Sequence, residues 1–413
     1  MKKNKENDLI LLAAIWALWS LLVIGYQAVA DWRLELKRPD SVLMWTANET
    51  GKNSQDDKAY LVEPFMNHQV AWDSEFYLSM ATAGYADPLV RTIKDPQHKG
   101  EALSMSYAFF PLYGWAMRAA RVPLLALGLS PIAASTLAGV LVSLLGTLGA
   151  MIALYDLAQP LLEREGSLRA VYYLLIFPSA FFLAQVYTEG LFLGLSFGCM
   201  ALAWRDQWLP AGLLAAAATL TRPLGGLVVI PLAYRWWQTA PWNDETRDQP
   251  AWEVAVKSVG VALPVIAFLA WRASELGRNF FILEDQFFGR HFLAIGATIS
   301  AWGGALESVL KGNSQAAVYY ALEVGSLLLG LAACGLFFRR EKGLALYSLA
   351  AILLSLFSGA AQGMARYVLA APVIFLCLGQ WGKSRVFDRA WTFASVLLFG
   401  LSAMLFSFDF WVG

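Results

Sequence analysis

The chain has 413 residues, of which 58% are hydrophobic and 15% are charged, and its formal net charge is +0 at pH 7. So few charged side chains cannot cover a soluble protein of this length. Together with a mean hydropathy of +0.51, the composition predicts a polytopic protein embedded in a lipid bilayer. The balanced charge gives no reason to expect a nucleic-acid partner.

The sequence contains no pattern typical of a cofactor or metal site. The three histidines are far apart, and each of the three cysteines lies in an apolar run, where it is expected to be a small core residue. There is no Asp-x-Asp pair of the kind that holds a divalent ion in nucleotide-sugar enzymes, although Asp73 and Glu75 have the spacing of two weak ligands. We predict no cofactor and no metal.

The first apolar run covers residues 9–30 and follows Lys2, Lys3 and Lys5. It is longer than the apolar core of a usual signal peptide, and no small-residue cleavage site follows it. We therefore predict a retained first transmembrane helix with a cytoplasmic N-terminus.

A polar stretch follows, and we assign residues 31–130 to a large first outer loop with interfacial helices. Its charged residues include Asp56, Asp57 and Lys94, and such a composition cannot lie in hydrocarbon. Within this loop, the aromatic and proline-containing run 108–114 is typical of a segment that lies on the membrane surface.

The remaining apolar runs predict transmembrane helices, because a span needs roughly 20 apolar residues and fewer where it is buried in protein. The run 209–237 is too long for one span, and the proline of Thr221-Arg222-Pro223 breaks it into a short hairpin. With the first helix, these runs give about eleven transmembrane helices in one all-α polytopic domain, residues 1–413. The other predicted spans are 132–157, 168–184, 186–204, 252–271, 317–338, 343–357, 364–381 and 390–410.

Basic residues predict the orientation, because Lys and Arg are in excess in cytoplasmic loops. If residues 209–237 form the short hairpin, the N-terminal lysines and the basic residues of the short loops fall on one face. This face is predicted to be cytoplasmic. The first loop, the break at 221–225, the loop 274–315 and the turns at 185–189 and 358–366 then share the outer face. The basic residues of the short loops are Arg164, Arg169, Arg205, Arg235, Arg247, Arg339, Arg340, Lys342, Lys383, Arg385 and Arg389.

The candidate for acid–base chemistry is the stretch 71–77, with the sequence AWDSEFY, in which Asp73 and Glu75 stand among aromatic residues. A carboxylate beside aromatic faces at a membrane surface can act as a general base, while the rings stack on a sugar or an apolar ligand. Asp and Ser also favour the first position of a helix. The alternative is therefore a solvated loop whose acids only cap a helix.

Three further charged residues lie inside or at the outer ends of apolar runs, where a charge is costly and usually marks function. For Glu189 the alternative is a tight turn with an acid at a helix N-terminus. Arg222 requires an anionic partner, either a protein carboxylate such as Glu189 or a lipid-linked phosphate, which suits its fork geometry. For Arg366 the alternative is snorkelling to lipid headgroups.

Several short motifs follow one another along most of the chain: Trp72-Asp73, Gly84-Tyr85, Phe109-Phe110-Pro111-Leu112-Tyr113, Phe177-Pro178-Ser179-Ala180, Tyr187-Thr188-Glu189, Thr221-Arg222, Gln362 and Arg366-Tyr367. Their order and spacing resemble those of the GPI mannosyltransferase II (PIG-V-like) family. That family belongs to the GT-C membrane glycosyltransferases.

The resemblance implies a GT-C-like fold and a mannosyltransferase, or hexosyltransferase, that uses a polyprenyl-phosphate sugar donor and inverts the anomeric centre. Asp73 is then the base that takes the acceptor proton, and Glu75 is an orienting group. Arg222 and Arg366 would stabilise the growing charge of the leaving phosphate. The implied substrate-binding residues are Trp72, Tyr113, Tyr187, Glu189 and Gln362.

The short, sparsely looped chain is typical of a bacterial protein of the plasma membrane, with its active site on the extracytoplasmic face. Bacteria generally lack GPI anchors, so the acceptor stays open among a glycan, a glycolipid and a protein. The alternative class is a lipid or sugar transporter or flippase, which many spans and an intramembrane arginine also fit. No internal repeat is visible, and the large first loop favours the enzyme.

Overall fold

The computed structural model describes residues 2–34, 65–88, 90, 92–94, 102–239, 249–285 and 293–413. Most of these residues are in α-helices, which confirms the predicted all-α fold; the described strands are the short antiparallel pair β1 (Thr92–Lys94) and β2 (Ala102–Ser104), in register Ile93 to Leu103. The helices are α1 (Lys2–Arg33), α2 (Ser74–Thr82), α3 (Pro111–Leu125), α4 (Pro131–Leu175), α5 (Glu189–Trp204), α6 (Trp208–Thr219), α7 (Val229–Gln238), α8 (Ala251–Ala273), α9 (Glu275–Leu283), α10 (Ile295–Leu310), α11 (Ser314–Phe337), α12 (Lys342–Leu356), α13 (Met364–Tyr367), α14 (Pro372–Trp381) and α15 (Arg385–Ser407). Short 3₁₀ turns cover Asn67–Gln69, Met105–Ala108, Ala180–Ala184, Pro223–Val228 and Val368–Ala370.

Five helices of the described residues are long and apolar enough to cross a membrane: Glu6–Arg33 within α1, and α4, α8, α11 and α15. A sixth candidate is the bent pair Met364–Ala370 and Pro372–Trp381, whose axes meet at 87°. The chain is therefore an integral, multi-pass membrane protein, as its composition predicts.

The number of full spans is lower than the roughly eleven that apolar length predicts, and the chain gives two reasons. The predicted span 132–157 and the first half of 168–184 both fall on α4, which changes direction at Glu163, where φ is 59° and ψ is −173°. The second half of 168–184 ends in the 3₁₀ turn Ala180–Ala184. The apolar runs of α5, α6 and α12 form helices of only 16, 12 and 15 residues. Such helices can be short because they pack inside the protein, as the fully buried Phe192 and Phe197 of α5 indicate.

Glycines let α4 and α5 touch along their backbones. A β-carbon at Gly190 would lie 2.2 Å from the carbonyl oxygen of Ser143, and one at Gly146 would lie 2.5 Å from the backbone of Gly190. Gly190 and Gly194 form a G-x-x-x-G pattern, which lets membrane helices approach closely. This contact fixes the first turn of α5, which carries Glu189.

Ion pairs and hydrogen bonds link residues of the predicted basic face at one end of the helices. Asp8 accepts hydrogen bonds from Arg164 Nη2 at 2.7 Å and from the Tyr155 hydroxyl at 2.6 Å, and Arg205 pairs with Asp156. Which side of the membrane this end faces stays a prediction. Further contacts at this end join Arg235 to Asp206 (3.7 Å), Arg340 to Gln380 (2.7 Å) and Tyr173 to Asp388 (2.7 Å).

Two regions test the predicted loops. The break at 221–225 is confirmed, since α6 ends at Thr219 and the 3₁₀ turn Pro223–Val228 precedes α7. The connection predicted at 274–315 contains two helices in its described part, α9 and α10, and Phe280 and Leu283 bury one face of α9. Asp56, Asp57 and two of the three histidines lie outside the described residues.

Candidate active site

Asp73 directly precedes α2 and is held through its backbone. Its N–H donates to the Tyr187 hydroxyl at 3.1 Å. Its side chain makes no capping hydrogen bond to α2 within the described structure. The structure therefore contradicts the alternative in which this carboxylate only caps a helix. The side-chain oxygens of Asp73 face other partners.

Trp72 gives this turn an unusual backbone conformation, with φ at 52°. A non-glycine residue in the left-handed region costs about 1–3 kcal/mol and persists only where its surroundings fix it. The Trp72 indole N–H donates to the carbonyl oxygen of Phe410 at 3.3 Å, and its ring lies edge-on to Trp411 with 5.1 Å between centroids. Packing from the end of the chain therefore holds the turn that presents Asp73.

Arg366 comes from the bend between α12 and α14 and bridges two acids. Its Nη1 lies 3.3 Å from Asp73 Oδ2, and its Nε lies 3.5 Å from Glu189 Oε1. The side chain is only 6% exposed, so the alternative of snorkelling to headgroups is wrong. Three rings surround the guanidinium carbon, with centroids at 5.3–5.4 Å: Phe182, Tyr187 and Tyr367.

Arg222 lies at the break after α6, and its ion-pair partner is Glu189 at the start of α5. The sequence leaves two partners open for Arg222, a protein carboxylate and a lipid-linked phosphate. In the structure, Arg222 pairs with the protein carboxylate. Arg222 also lies over the ring of Tyr367, 5.5 Å from its centroid. The second oxygen of Glu189, Oε2, has no hydrogen-bond partner among the described residues.

The two carboxylates differ in their access to solvent. The side chain of Asp73 is 26% exposed, whereas that of Glu189 is 1% exposed and lies between Arg222 and Arg366. Two acids and two guanidinium groups balance in charge, which allows this cluster to be buried. Asp73 is therefore accessible from solvent, and Glu189 is the shared counter-ion of the two arginines.

A cavity of about 1010 Å³ opens in front of this cluster. Tyr77 also lines it, and burial, followed by the charges of Asp73 and Glu189, raises the pKa of this phenol above its ordinary value. Tyr77 therefore stays protonated at neutral pH. Seven of the predicted site residues line the cavity: Trp72, Asp73, Glu75, Tyr187, Glu189, Arg222 and Arg366.

An apolar part of the cavity lining comes from α8, which is one of the five spans. Pro264, Val265 and Phe268 line it, and Trp271 continues the wall to the end of the helix. Arg272 follows and also lines the cavity. The cavity thus has charged residues at one part of its lining and apolar residues of a membrane-spanning helix at another.

Two predicted substrate-binding residues lie away from the cavity lining. Tyr113 is fully buried, and its hydroxyl donates to the carbonyl oxygen of Gly139 at 2.9 Å and lies 2.8 Å from Ser143 Oγ. The run 108–114 thus packs against α4 instead of lying on the membrane surface as predicted. Gln362 donates to the Tyr320 hydroxyl at 3.4 Å, one residue before the bend that carries Arg366. Their contact with substrate stays a prediction.

Sequence reasoning missed two residues that shape the site. Glu323 lies inside the predicted span 317–338, and an acid within an apolar run is a signal that points to it. Trp411 lines the cavity near the end of the chain, and no local pattern distinguishes it from the other tryptophans. Within the described residues, no three His, Cys, Asp or Glu side chains come together as a metal-ion site.

No family model matches the chain, and no curated protein matches its sequence. Solved structures do match. ArnT from Cupriavidus metallidurans, bound to undecaprenyl phosphate, has a TM-score of 0.49 and 12% identity over 97% of this chain and 76% of its own.

Two structures of the Archaeoglobus fulgidus oligosaccharyltransferase also match, both at 11% identity. The complex with zinc and sulfate has a TM-score of 0.47, covering 95% of this chain and 53% of that one. The complex with an inhibitory peptide and a dolichol-phosphate has a TM-score of 0.45, covering 99% and 56%. The chain thus spans about half the length of these archaeal proteins.

Proposed function

We propose that this protein is an integral-membrane glycosyltransferase of the GT-C type. It transfers a hexose from a polyprenyl-phosphate donor to an extracytoplasmic acceptor and inverts the anomeric centre. The hexose that we propose is mannose. One observation carries the proposal: Asp73, the more exposed acid of the cluster, lies in a cavity 3.3 Å from the buried Arg366. A positioned carboxylate can take the acceptor proton, and a fixed cation in the same cavity can stabilise the charge that develops on a phosphate leaving group.

The two carboxylates take different parts in the proposed reaction. Asp73 accepts the proton of the acceptor hydroxyl, because it is the acid of the pair that a bound substrate can touch. Glu189, buried between two arginines, keeps their charge compensated and their positions fixed. Glu189 then supports the two arginines and does not itself bind substrate.

The bond changes form a single displacement. The acceptor oxygen loses its proton to Asp73 and bonds to the anomeric carbon, while the bond from that carbon to the phosphate oxygen breaks. The electron pair of the broken bond stays on the phosphate, whose growing negative charge lies against Arg366 and Arg222. Attack from the face opposite the leaving group inverts the anomeric centre.

The aromatic rings around Arg366 support this role for the guanidinium. A cation held over three rings and beside Glu189 Oε1 is already oriented before the charge develops. The planar fork of an arginine also suits two oxygens of one phosphate. Arg366 is therefore the first candidate for the leaving phosphate, and Arg222 is the second.

The apolar wall supports a lipid-linked donor. Val265 and Phe268 of α8 line the cavity, while the neighbouring Ile266 and Leu269 are 57% and 59% exposed. A span with apolar side chains on both sides gives a prenyl chain a surface that leads from the bilayer to the charged cluster. A nucleotide-sugar donor would gain nothing from such a wall.

We place the cavity on the extracytoplasmic side of a plasma membrane, in a single domain that covers the chain. The basic residues linked through Asp8, Asp156 and Asp206 then lie on the cytoplasmic side. The acceptor, a glycan, a glycolipid or a protein, meets Asp73 from outside.

The test uses membranes from cells that express the chain, so that endogenous acceptors are present. Radiolabelled polyprenyl-phosphate mannose is the donor, and GDP-mannose is the control donor. We expect label to leave the polyprenyl-phosphate mannose and to appear in a new product with the first donor, and to stay on the polyprenyl-phosphate mannose with Asp73→Asn. The matched control is Asp8→Asn, which removes a buried charge at the basic end and should transfer label at the wild-type rate. Equal transfer by Asp73→Asn and wild type would overturn the proposal.

The same membranes separate an enzyme from a flippase. A flippase would move intact polyprenyl-phosphate sugar across the bilayer without releasing polyprenyl phosphate. Equal amounts of released polyprenyl phosphate in wild type and in membranes without the protein, together with faster movement of intact donor, would favour transport.

A further inference from the structure

Glu323 is an acid in the interior of the membrane-spanning helix α11, and its side chain is buried at 1% exposure. A carboxylate at such a position is costly unless other groups compensate it, so its partners indicate what it does. The mechanism proposed above does not use it.

Both oxygens of Glu323 bind the backbone that carries Arg366. Oε1 accepts a hydrogen bond from Gly363 N at 2.9 Å, and Oε2 accepts one from Ala365 N at 2.8 Å. Gly363 has φ at 89°, and a β-carbon there would lie 3.0 Å from the ring of Tyr367. Glu323 thus fixes the turn directly before Arg366, at a point where the chain makes a left-handed step.

A second path leads from the same N–H group to the turn of Asp73. The hydroxyl of Tyr319, one helical turn before Glu323, also accepts a hydrogen bond from Gly363 N, at 3.4 Å. The Tyr319 hydroxyl accepts a hydrogen bond from Trp411 Nε1 at 3.0 Å, and the ring of Trp411 packs edge-on against Trp72, the residue before Asp73.

We propose that Glu323, assisted by Tyr319, is a positioning residue that sets the distance between Asp73 and Arg366. The proposal rests on the transferase function proposed above. A carboxylate with two fixed N–H donors holds the Arg366 turn from one side, and Trp411 transmits the position of Tyr319 to the Asp73 turn. An apolar side chain of similar volume would remove the acceptor of both N–H groups, so the position of this turn depends on the carboxylate.

The first test requires no donor. Hydrogen–deuterium exchange of the purified full chain is compared between wild type and Glu323→Gln, whose amide keeps the shape but offers a donor to one of the two N–H groups. We expect amides 363–367 to exchange about tenfold faster, with α4 unchanged. Asp8→Asn is the matched control, because it also neutralises a buried carboxylate, and it should leave 363–367 unchanged. Unchanged exchange of 363–367 in Glu323→Gln, or an equal increase in every helix, would overturn the proposal.

The second test is a double-mutant cycle on turnover with Arg366→Lys. If Glu323 acts through Arg366, Glu323→Gln should lower turnover about tenfold in the wild-type background and less than about twofold in the Arg366→Lys background. The KM for the donor should change less than kcat. Equal losses in both backgrounds would mean that Glu323 does not act through Arg366.

A third variant covers the case in which Glu323→Gln does not fold. Tyr319→Phe removes one hydroxyl and leaves both backbone hydrogen bonds of Glu323 in place. It should lower turnover by about threefold and leave the Glu323-bound amides protected. Wild-type turnover in this variant would remove Tyr319 from the proposal. If wild type itself transfers no sugar, the proposed function fails, whereas the exchange experiment still decides whether Glu323 holds the Arg366 turn.

Discussion

Arg366 Nη1 lies 3.3 Å from Asp73 Oδ2, although 293 residues separate the two side chains along the chain. The acid comes from a turn before α2 and the cation from the bend after α12. Each is fixed by packing that involves Trp411 or Glu323, so the pair is a property of the folded helices and not of either motif alone. The proposed chemistry depends on the distance between Asp73 and Arg366.

Asp73→Asn should lower turnover by about 100-fold or more at saturating donor, because the amide has nearly the same shape but cannot accept a proton. The melting temperature of the detergent-solubilised protein should change little, since Asp73 is partly exposed and Arg366 keeps Glu189 as a partner. Turnover near the wild-type value would remove Asp73 as the base.

Glu75→Gln is the matched control for this prediction, because Glu75 lines the same cavity two residues away. It should lower turnover by less than about tenfold, as expected of an orienting group. An equal loss in both variants would instead point to two carboxylates that act as a pair.

The fold could be predicted from apolar length only in part. Composition and run length identify α8, α11 and α15 within about five residues at each end, and they identify the apolar part of α1, because these helices cross the membrane as single apolar segments. The count of spans fails at α5 and α6, where short apolar helices pack inside the protein. Run length cannot distinguish burial in lipid from burial in protein.

The residues of the site could be predicted from the sequence better than the number of spans. Charged residues inside apolar runs pointed to Glu189 and Arg222, since such charges are rarely placed without a purpose. The sequence could not assign their partners, because pairing depends on how α5 and the break after α6 pack. Trp411 carries no local signal at all, since its role comes from the contact with Trp72.

Arg222→Ala should lower the free energy of unfolding by about 3 kcal/mol, which is the lower end of the range for removing one partner of a buried pair, because Arg366 still lies near Glu189. Thermal or denaturant unfolding in detergent measures this loss. Arg235→Ala is the matched control at the basic end, where its ion pair with Asp206 is 3.7 Å long and partly exposed. The control should lose less than about 1 kcal/mol. Equal losses would contradict the burial argument.

Gly190→Ala should destabilise the protein by about 1–3 kcal/mol, because a β-carbon there would lie 2.2 Å from the backbone oxygen of Ser143 and push α5 away from α4. Glu189 would move with α5, so turnover should fall as well. Gly149→Ala is the control on α4, since a β-carbon there meets its nearest atom at an ordinary 3.6 Å. If Gly149→Ala were the more destabilising change, the close approach would not be what holds the helices together.

The orientation can be read from single cysteines in a background that lacks the three buried native ones. Lys94→Cys lies on exposed β1, and Arg340→Cys lies on an exposed turn at the basic end. With a membrane-impermeant maleimide on intact cells, we expect labelling of Lys94→Cys only, and of Arg340→Cys after permeabilisation. Labelling of Arg340→Cys from outside would reverse the topology and place Asp73 in the cytoplasm.

Polyprenyl phosphate should raise the unfolding free energy of the wild-type protein by about 2.7 kcal/mol at 100 times its dissociation constant. Arg366→Lys and Arg222→Lys should each reduce this gain at the same concentration, because an ammonium is a point charge and cannot reproduce the two-pronged contact of a guanidinium with phosphate. Arg340→Lys is the matched control, since Arg340 binds Gln380 at the opposite end of the helices and should keep the full gain. A full gain in Arg366→Lys and Arg222→Lys would show that the phosphate binds elsewhere. A full gain in Arg222→Lys alone would leave Arg222 as the partner of Glu189 and assign the phosphate to Arg366.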